Sequence, residues 1–272
     1  GPRDLVEKQK VLNFTIEHYK PTICIKLFGP VLFVRNWKDE KEKVWQREKA
    51  KELFVYLYIH RNRFCSKEEI MDALFPSSTE DVAVRDFKVA YNALLKVLEP
   101  ERNAREESFY IERKTGMYRI RSAPYIVSDV HYFEQLISLA NKQHCPILRK
   151  QWLLKAIQQY TGNLYEENSH IEWLHQERQR YKTLYLKAVE QLAQLLFEAQ
   201  HYEQCIQYCE IILSKEPTWE EAYRLTMWCY FYLENKVAVQ KTYERCEQVL
   251  LQQYDMEPMQ STTEIFEKLI KI

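Results

Sequence analysis

Hydrophobic residues in the first 124 positions follow two different periods. Near the start, two short apolar runs lie on either side of Gly29-Pro30, a pattern typical of two strands joined by a turn. From residue 46 onward apolar residues recur every three or four positions, which indicates helices. Ser66 with Glu69 three residues later is a capping box that marks a helix start. We predict strands at 22–28 and 31–34, helices at 46–60 and 67–75, and a third helix that is capped by Thr79 or Asp81 and ends at residue 98.

After a charged loop the pattern returns to short strands. Residues 109–111 and 117–120 flank the basic turn 113–116, which predicts a β-hairpin. A strand pair, three helices and a hairpin, in that order, make a winged-helix domain, which we assign to residues 21–124. We interpret residues 1–20 as a tag-cleavage scar (Gly1-Pro2) and a linker with a short helix at 5–12, so we expect the chain to be part of a longer protein.

Residues 125–272 show only helical periodicity, and no strand is predicted there. Residues 200–206 resemble residues 234–240 at an offset of 34 positions, with Cys205 and Val239 in phase. Thirty-four residues is the period of the tetratricopeptide repeat. We therefore predict a mainly α protein, with a winged helix followed by an all-α, tetratricopeptide-like domain at 125–272. The helices predicted in this second domain are 132–140, 147–159, 171–200, 202–214, 219–233 and 237–253.

The scarcity of glycine limits the chemistry available to the chain. Its 4 glycines lie at positions 1, 29, 116 and 162. A phosphate-binding loop needs two glycines at GxxxxGK spacing and a dinucleotide site needs three at GxGxxG spacing, so both are excluded. The GxSxG and HExxH motifs of hydrolases are also missing from the sequence. We expect no enzymatic activity, no catalytic residue and no cofactor.

Metal and membrane signals are equally weak. The 7 cysteines include no CxxC pair and the 7 histidines are dispersed, which favours buried, reduced thiols and no metal site. The sequence contains no run of about 18 apolar residues and no signal-peptide pattern. We expect a cytoplasmic protein that does not contact a membrane.

A net charge of zero conceals an uneven distribution. Residues 20–122 carry 21 lysines and arginines against 16 acidic residues, a net charge of +5. Residues 123–272 carry 15 against 20, a net charge of −5. A basic first half joined to an acidic second half is typical of a nucleic-acid-binding domain with a protein-facing partner domain.

The third predicted helix has one apolar and one polar side. A helical wheel gathers six residues into the apolar arc and places Arg85, Val89, Asn92 and Lys96 opposite, with Lys88 on the flank. Such a helix can pack on the first two helices and offer its polar side to the major groove of DNA. Asparagine there pairs with adenine, and Arg or Lys with guanine or phosphate. The apolar arc consists of Val84, Phe87, Tyr91, Leu94, Leu95 and Leu98.

Basic residues outside this helix complete the predicted DNA surface. The hairpin turn and its second strand supply a basic wing that can contact the phosphate backbone or the minor groove. Lysines near the starts of the first and second helices, namely Lys49, Lys51 and Lys67, are candidates for further phosphate contacts, and Lys49 and Lys67 enter the predicted set. The full set of predicted DNA-binding residues is Arg85, Lys88, Asn92, Lys96, Arg113, Lys114, Arg119, Lys49 and Lys67.

Several motifs resemble those of a known family. Residues 45–54 and 63–76 are similar to the first two helices of SARP-type bacterial activators, whose DNA-binding domain is OmpR-like, and 83–100 aligns with their recognition helix. In the second half, Tyr160-Thr-Gly-Asn-Leu, Trp173-Leu-His-Gln-Glu-Arg and Tyr254-Asp-Met-Glu-Pro resemble the bacterial transcriptional activator domain, or BTAD. The resemblance covers about residues 23–270.

This resemblance implies a function and partners. It implies a sequence-specific transcriptional activator that binds double-stranded DNA at repeated sites, as a homodimer or in tandem, and that contacts RNA polymerase. The BTAD would serve dimerisation or signal coupling. Asn92-Ala93 stands where these activators often carry Ser-Arg, and Lys96 replaces an arginine, so the base preference does not carry over. Similar pairs of domains also end large MalT-like regulators with an upstream ATPase, which suits the linker at residues 1–20.

Two other interpretations stay open. The tetratricopeptide-like half could bind a protein partner while the winged helix docks protein and not DNA. The helical half could also sense a small ligand, although aromatic residues at helical spacing are more often core. The aromatic residues in question are Trp219, Tyr223, Trp228, Tyr230, Phe231 and Tyr232.

Overall fold

The computed structural model describes residues 22–35 and 45–272, so the linker at 1–20 and the helix predicted at 5–12 lie outside the described residues. Contacts divide the chain into two compact units. The first unit reaches Asp129 and also includes Tyr165–Trp173, and the helical unit consists of Val130–Leu164 and Leu174–Ile272. The fold is mainly α with short strands in the first unit, which confirms the predicted fold class.

The first sheet of the first unit contains a strand that the sequence pattern does not reveal. β1 (Ile23–Lys26) pairs antiparallel with β2 (Leu32–Arg35) around Gly29, whose φ is 80°, as predicted. β6 (Ile126–Ser128) lies on the other side of β1 and pairs with it in parallel. The prediction of no strand after residue 124 was therefore wrong. Three residues are too few to show a period of two, and the β1 edge decides their conformation.

Three helices follow the first strand pair. α1 (Glu48–Ile59), α2 (Lys67–Leu74) and α3 (Glu80–Leu98) lie within two residues of their predicted bounds. Ser66 caps α2 by accepting a hydrogen bond from the Glu69 amide at 3.1 Å, as the capping box predicts. Eight of the twelve α1 residues are buried, and α1 packs against both α2 and α3.

The wing closes with a tighter turn than predicted. β4 (Ile111–Lys114) and β5 (Met117–Ile120) pair antiparallel, and β3 (Cys65–Ser66) pairs with the other edge of β5. The connecting loop is only Thr115-Gly116, with φ angles of 50° and 73°. Two residues with positive φ match the type I′ turn preferred in hairpins. Arg113 and Lys114 therefore lie in β4 and not in the turn.

Residues Tyr165–Trp173, here called the return segment, pack on the first unit although the chain on both sides belongs to the helical unit. The Tyr165 amide donates to the Leu27 carbonyl at 2.9 Å, and its hydroxyl donates to Glu48 of α1 at 2.6 Å. The indole N–H of Trp173 donates to the buried Glu52 carboxylate at 3.1 Å. These contacts attach the return segment to α1 and to the β1–β2 turn.

Seven helices form the helical unit. Each helix from the second to the sixth contacts the next one, and the fifth also contacts the third and the seventh, as expected for stacked helical hairpins. The helix predicted at 171–200 is preceded by one 3₁₀ turn at Glu172–Leu174. The helices are α4 (Asp129–Lys142), α5 (Pro146–Gln159), α6 (His175–Glu198), α7 (Tyr202–Lys215), α8 (Glu220–Tyr232), α9 (Lys236–Tyr254) and α10 (Gln260–Lys271).

The 34-residue repeat is visible in the backbone. After α6, Gln200 takes a φ of 62° and the next amide bonds to the Leu196 carbonyl at 2.8 Å. After α8, Glu234 takes a φ of 57° and the next amide bonds to the Tyr230 carbonyl at 2.9 Å. Both are Schellman turns, whose left-handed residue is usually glycine. The equivalent turns lie 34 positions apart, which confirms the repeat.

The last helix, α10, lies beyond the predicted helices. Its Leu269 is fully buried and packs with Met227, Val239 and Tyr243. The apolar residues Ile265, Phe266, Leu269 and Ile270 have helical spacing, so the signal was present in the sequence. Among the described residues, no helix is long and apolar enough to cross a membrane.

Glycine at the two repeat turns should stabilise the helical unit. A non-glycine residue in the left-handed region carries a steric cost that glycine does not. We expect Gln200→Gly and Glu234→Gly each to raise the free energy of unfolding by roughly 0.5–1 kcal/mol. Urea unfolding followed by circular dichroism measures the change. The control is Gln248→Gly at an exposed position of α9, where glycine should lower the free energy of unfolding by about 1 kcal/mol. Equal destabilisation by all three would contradict the left-handed turns.

Loss of the Trp173 hydrogen bond should destabilise the first unit. Trp173→Phe keeps a ring near Tyr56, whose centroid lies 4.9 Å from that of the indole, but leaves Glu52 without the indole donor. We expect a loss of about 1–3 kcal/mol, because Glu52 is only 4% exposed. Trp45→Phe is the control, since the Trp45 ring packs on Phe33 and Phe54 and no hydrogen bond of its indole is found among the described residues. The same loss in both variants would show that packing alone matters.

Candidate nucleic-acid interface

α3 presents one buried and one exposed side. Phe87, Leu94 and Leu98 are almost fully buried, as the predicted apolar arc requires. The exposed side carries all four predicted base or phosphate contacts of the helix, namely Arg85, Lys88, Asn92 and Lys96. Arg85 forms a loose ion pair with Asp86, with Nε and Oδ1 3.4 Å apart, but its side chain stays 71% exposed. The structure therefore brings these four residues onto one accessible face.

The predicted apolar arc was wrong for one residue. Val84 is 38% exposed, and the buried positions at the edge of the arc are Ala83 and Ala90. The apolar arc is therefore rotated slightly from its predicted centre. A helical wheel centres the apolar arc on the most hydrophobic residues. Because Val84 is larger than alanine, it shifted the predicted arc away from Ala83 and Ala90, the small residues that face the core.

The wing lies beside α3. The Arg113 guanidinium stands 5.8 Å from the centroid of the Tyr91 ring of α3 and 5.2 Å from that of Tyr118 in β5. Burial raises the pKa of Tyr91, while the positive charge of Arg113 opposes the rise. Arg113 and Lys114 are both exposed. The predicted recognition helix and the predicted wing thus offer positive charge from neighbouring surfaces.

Arg119 has a different environment from the other predicted wing residues. Its guanidinium donates to the Glu112 carboxylate at 2.8 Å and lies 4.3 Å from the centroid of the Phe64 ring. Glu112 also pairs with Arg121 at 2.8 Å. An arginine held by a carboxylate and an aromatic face has less charge to offer a phosphate than Lys114, which stands at the end of the hairpin.

The two predicted helix-start lysines also differ. Lys67 is half-buried, with its ammonium 5.5 Å from the centroid of the Phe87 ring, so it lies beside α3. The Lys49 ammonium donates to the carbonyl of Leu74 at 2.6 Å and to Glu52 at 2.9 Å. Lys49 therefore holds the end of α2 against α1, and its hydrogen bonds are made within the protein.

Two arginines near α3 were not among the predicted contacts. Asn92, Arg113, Arg102 and Arg105 line one cleft between α3, β4 and the loop at residues 101–108. Arg105 is exposed, whereas Arg102 donates to backbone carbonyls within the loop. The loop is rich in charge of both signs, and its acidic residues concealed this local basic pair in the sequence.

Five of the six aromatic residues considered for ligand sensing are buried or half-buried, whereas Tyr232 is 50% exposed. Trp228, Tyr230 and Phe231 pack against the cluster of Met227, Val239, Tyr243 and Leu269. The Tyr223 side chain is fully buried and its hydroxyl donates to the Pro217 carbonyl at 2.7 Å. These contacts agree with a role in the core of the helical unit.

Five of the seven thiols are buried, while Cys24 is half-buried and Cys145 is exposed. Cys65, Cys205, Cys209, Cys229 and Cys246 are fully buried, and all seven cysteines are unpaired. Burial raises the pKa of Cys65 and of Cys246 to about 12, so both remain neutral thiols near pH 7. Within the described part of the chain, no group of His, Cys, Asp and Glu side chains could hold a metal ion.

A family comparison identifies the second half of the chain. The family model of the bacterial transcriptional activator domain, BTAD, matches residues 128–270, which is more than half of the chain. The chain belongs to the BTAD family. The matched residues begin in β6 and include the return segment and all but the last two residues of the helical unit. This confirms the BTAD part of the resemblance seen in the sequence.

A solved structure shares the architecture of the BTAD chain. The fold is similar to that of EmbR from Mycobacterium tuberculosis, solved in complex with a low-affinity phosphopeptide, with a TM-score of 0.78 and 14% identity. The match covers 93% of this chain and 66% of the EmbR chain, so this chain spans about two thirds of that protein. Together, the family match and this fold likeness support the SARP-type resemblance. A search of curated proteins found no match.

The interactions of Lys49 predict a structural role. Lys49→Met removes the donor to Leu74 and to the buried Glu52, so we expect the free energy of unfolding to fall by about 1–2 kcal/mol. Lys96→Met is the control, because Lys96 is exposed on α3 and should change stability by less than about 0.5 kcal/mol. Urea unfolding of both variants measures the difference. A Lys49→Met protein as stable as Lys96→Met would show that the Lys49 contacts contribute nothing.

Proposed function

We propose that this BTAD protein is a sequence-specific DNA-binding transcriptional regulator that acts as an activator. One observation carries the proposal: the exposed face of α3 holds Arg85, Lys88, Asn92 and Lys96, while the opposite face is buried against α1. A helix of this kind can enter the major groove without exposing its core. The amide of Asn92 would read base edges, and the cations would position the helix on phosphates.

The wing extends this surface in the proposal. Arg113, which lies next to Tyr91 of α3, and Lys114 are both exposed, and they would contact the backbone or the minor groove beside the major groove that α3 occupies. Lys67 would add a phosphate contact at the start of α2. Lys49 and Arg119 would act indirectly, by holding α2 and β4 in place, because their donors are bound to Leu74, Glu52 and Glu112.

The BTAD half is proposed to serve assembly and signal coupling. Stacked helical hairpins present extended surfaces to protein partners, and the net charge of −5 in residues 123–272 suits a protein partner better than DNA. We propose RNA polymerase as a partner, and homodimeric or tandem binding on repeated DNA sites. The proposal includes no catalytic role and no cofactor.

Salt dependence tests DNA binding most directly. Fluorescence anisotropy with a pool of random-sequence duplexes should show affinity that falls steeply between about 50 and 300 mM salt. The triple variant Lys88→Ala/Asn92→Ala/Lys96→Ala should bind more weakly. It should also lower the slope of log K against log salt by about 2, because two phosphate-contacting lysines are lost.

A matched control removes the same charge elsewhere. Lys236→Ala/Lys241→Ala/Gln248→Ala takes two lysines and one amide from exposed positions of α9 and should bind like the unchanged protein. Equal weakening by both triple variants would indicate a general charge effect and no recognition by α3. If no duplex binds at 50 mM salt, the protein-interaction alternative replaces the proposal.

A further inference from the structure

The proposed DNA-facing side of α3 is not wholly polar. Val84 and Val89 are each 38% exposed and stand at the two edges of the face that carries Lys88, Asn92 and Arg85. Valine is a poorer helix former than lysine or alanine, because its branched side chain loses freedom against the preceding turn. Helix stability therefore does not account for two exposed valines on this one face.

Val89 has the surroundings of a base-reading residue. It lies one turn after Arg85 and one turn before Asn92, and both of these residues are exposed. Three residues of helix span about 4.5 Å, and base pairs repeat every 3.4 Å per strand. Side chains at positions 89 and 92 can therefore reach the same base pair or neighbouring ones when the helix lies in the groove.

We infer that Val89 and Asn92 together read an A·T-containing step, with the Val89 methyl groups against a thymine 5-methyl group and the Asn92 amide on an adenine. The thymine methyl is the apolar group that the major groove presents, and adenine N6 and N7 match the donor and acceptor of an asparagine amide. Lys88, Lys96 and Arg113 hold the helix at this step through phosphates. Val84, at the other edge of the face, is placed to contact the flanking backbone sugars.

The inference rests on the proposed function and assigns its base preference. Its test uses the tightest duplex selected from the random pool by the 272-residue chain. Each thymine in that duplex is replaced, one at a time, by deoxyuridine, which lacks only the methyl group. We expect one position at which the unchanged protein loses about fourfold in affinity, the equivalent of one buried methyl group at about 0.8 kcal/mol.

A double-mutant cycle assigns that position to Val89. Val89→Ser should lose a similar factor on the thymine duplex and should not distinguish thymine from deoxyuridine at that position. Val89→Thr, which keeps one methyl group, should retain most of the discrimination. Val237 of α9 is 65% exposed and lies outside the proposed DNA surface, so Val237→Ser should behave like the unchanged protein. Because both positions, Val89 and Val237, are exposed, none of these three changes should prevent folding.

The possible outcomes distinguish this inference from the proposed function on which it rests. Binding that is salt-dependent but insensitive to every thymine-to-deoxyuridine change would overturn the reading by Val89 and leave DNA binding in place. Equal methyl sensitivity in the unchanged protein and in Val89→Ser would also overturn it. Failure of every duplex to bind would overturn both the inference and the proposed function.

Discussion

Burial of α1 is the constraint on which the first unit depends. The helix packs against α3 and α2. Its Tyr58 hydroxyl forms a hydrogen bond of 2.7 Å with the Ser128 hydroxyl of β6, and its Glu52 carboxylate accepts a hydrogen bond from the Trp173 indole of the return segment. A helix that is covered on so many sides can be stable only when all its neighbours are present. Because α3 must use its apolar side to cover α1, its polar side is left facing outward. The exposed face that suggests DNA binding is thus a consequence of how α1 is buried.

Positive charge in the first unit divides into two groups by its partners. Lys49, Lys51 and Arg119 donate to carboxylates or carbonyls that fold the unit, with distances between 2.6 and 2.9 Å. Arg85, Lys88, Lys96 and Lys114 lie on exposed positions of α3 and β4. Each cation of either group adds one unit to the net charge of +5, so that value alone overstates the charge available to a ligand. Position in the fold decides which cations can meet a phosphate.

Two of the BTAD motifs lie at the ends of the return segment. Tyr160-Thr-Gly-Asn-Leu ends where the return segment starts, and Trp173 closes it. Glu167 accepts hydrogen bonds from the Val31 amide at 3.1 and 3.2 Å and pairs with Lys51 at 2.9 Å. These residues of the BTAD match therefore stabilise the first unit, although their neighbours in the chain belong to the helical unit. In this chain, this part of the BTAD match contacts α1 and the segment around the β1–β2 turn.

Local patterns in the sequence determined most of the elements and their order. The helices α1–α9, the hairpin and the 34-residue repeat all arise from periodicity, caps and turns that act within a few residues of one another. Tertiary structure decided the rest. β6 forms a strand because the edge of β1 is available for pairing. Val84 is exposed because Ala83 and Ala90 face the core. The ammonium of Lys49 is hydrogen-bonded within the protein because the Leu74 carbonyl and the Glu52 carboxylate lie beside it. Such facts depend on residues that are distant in the chain and meet only in the folded protein, so no short pattern encodes them.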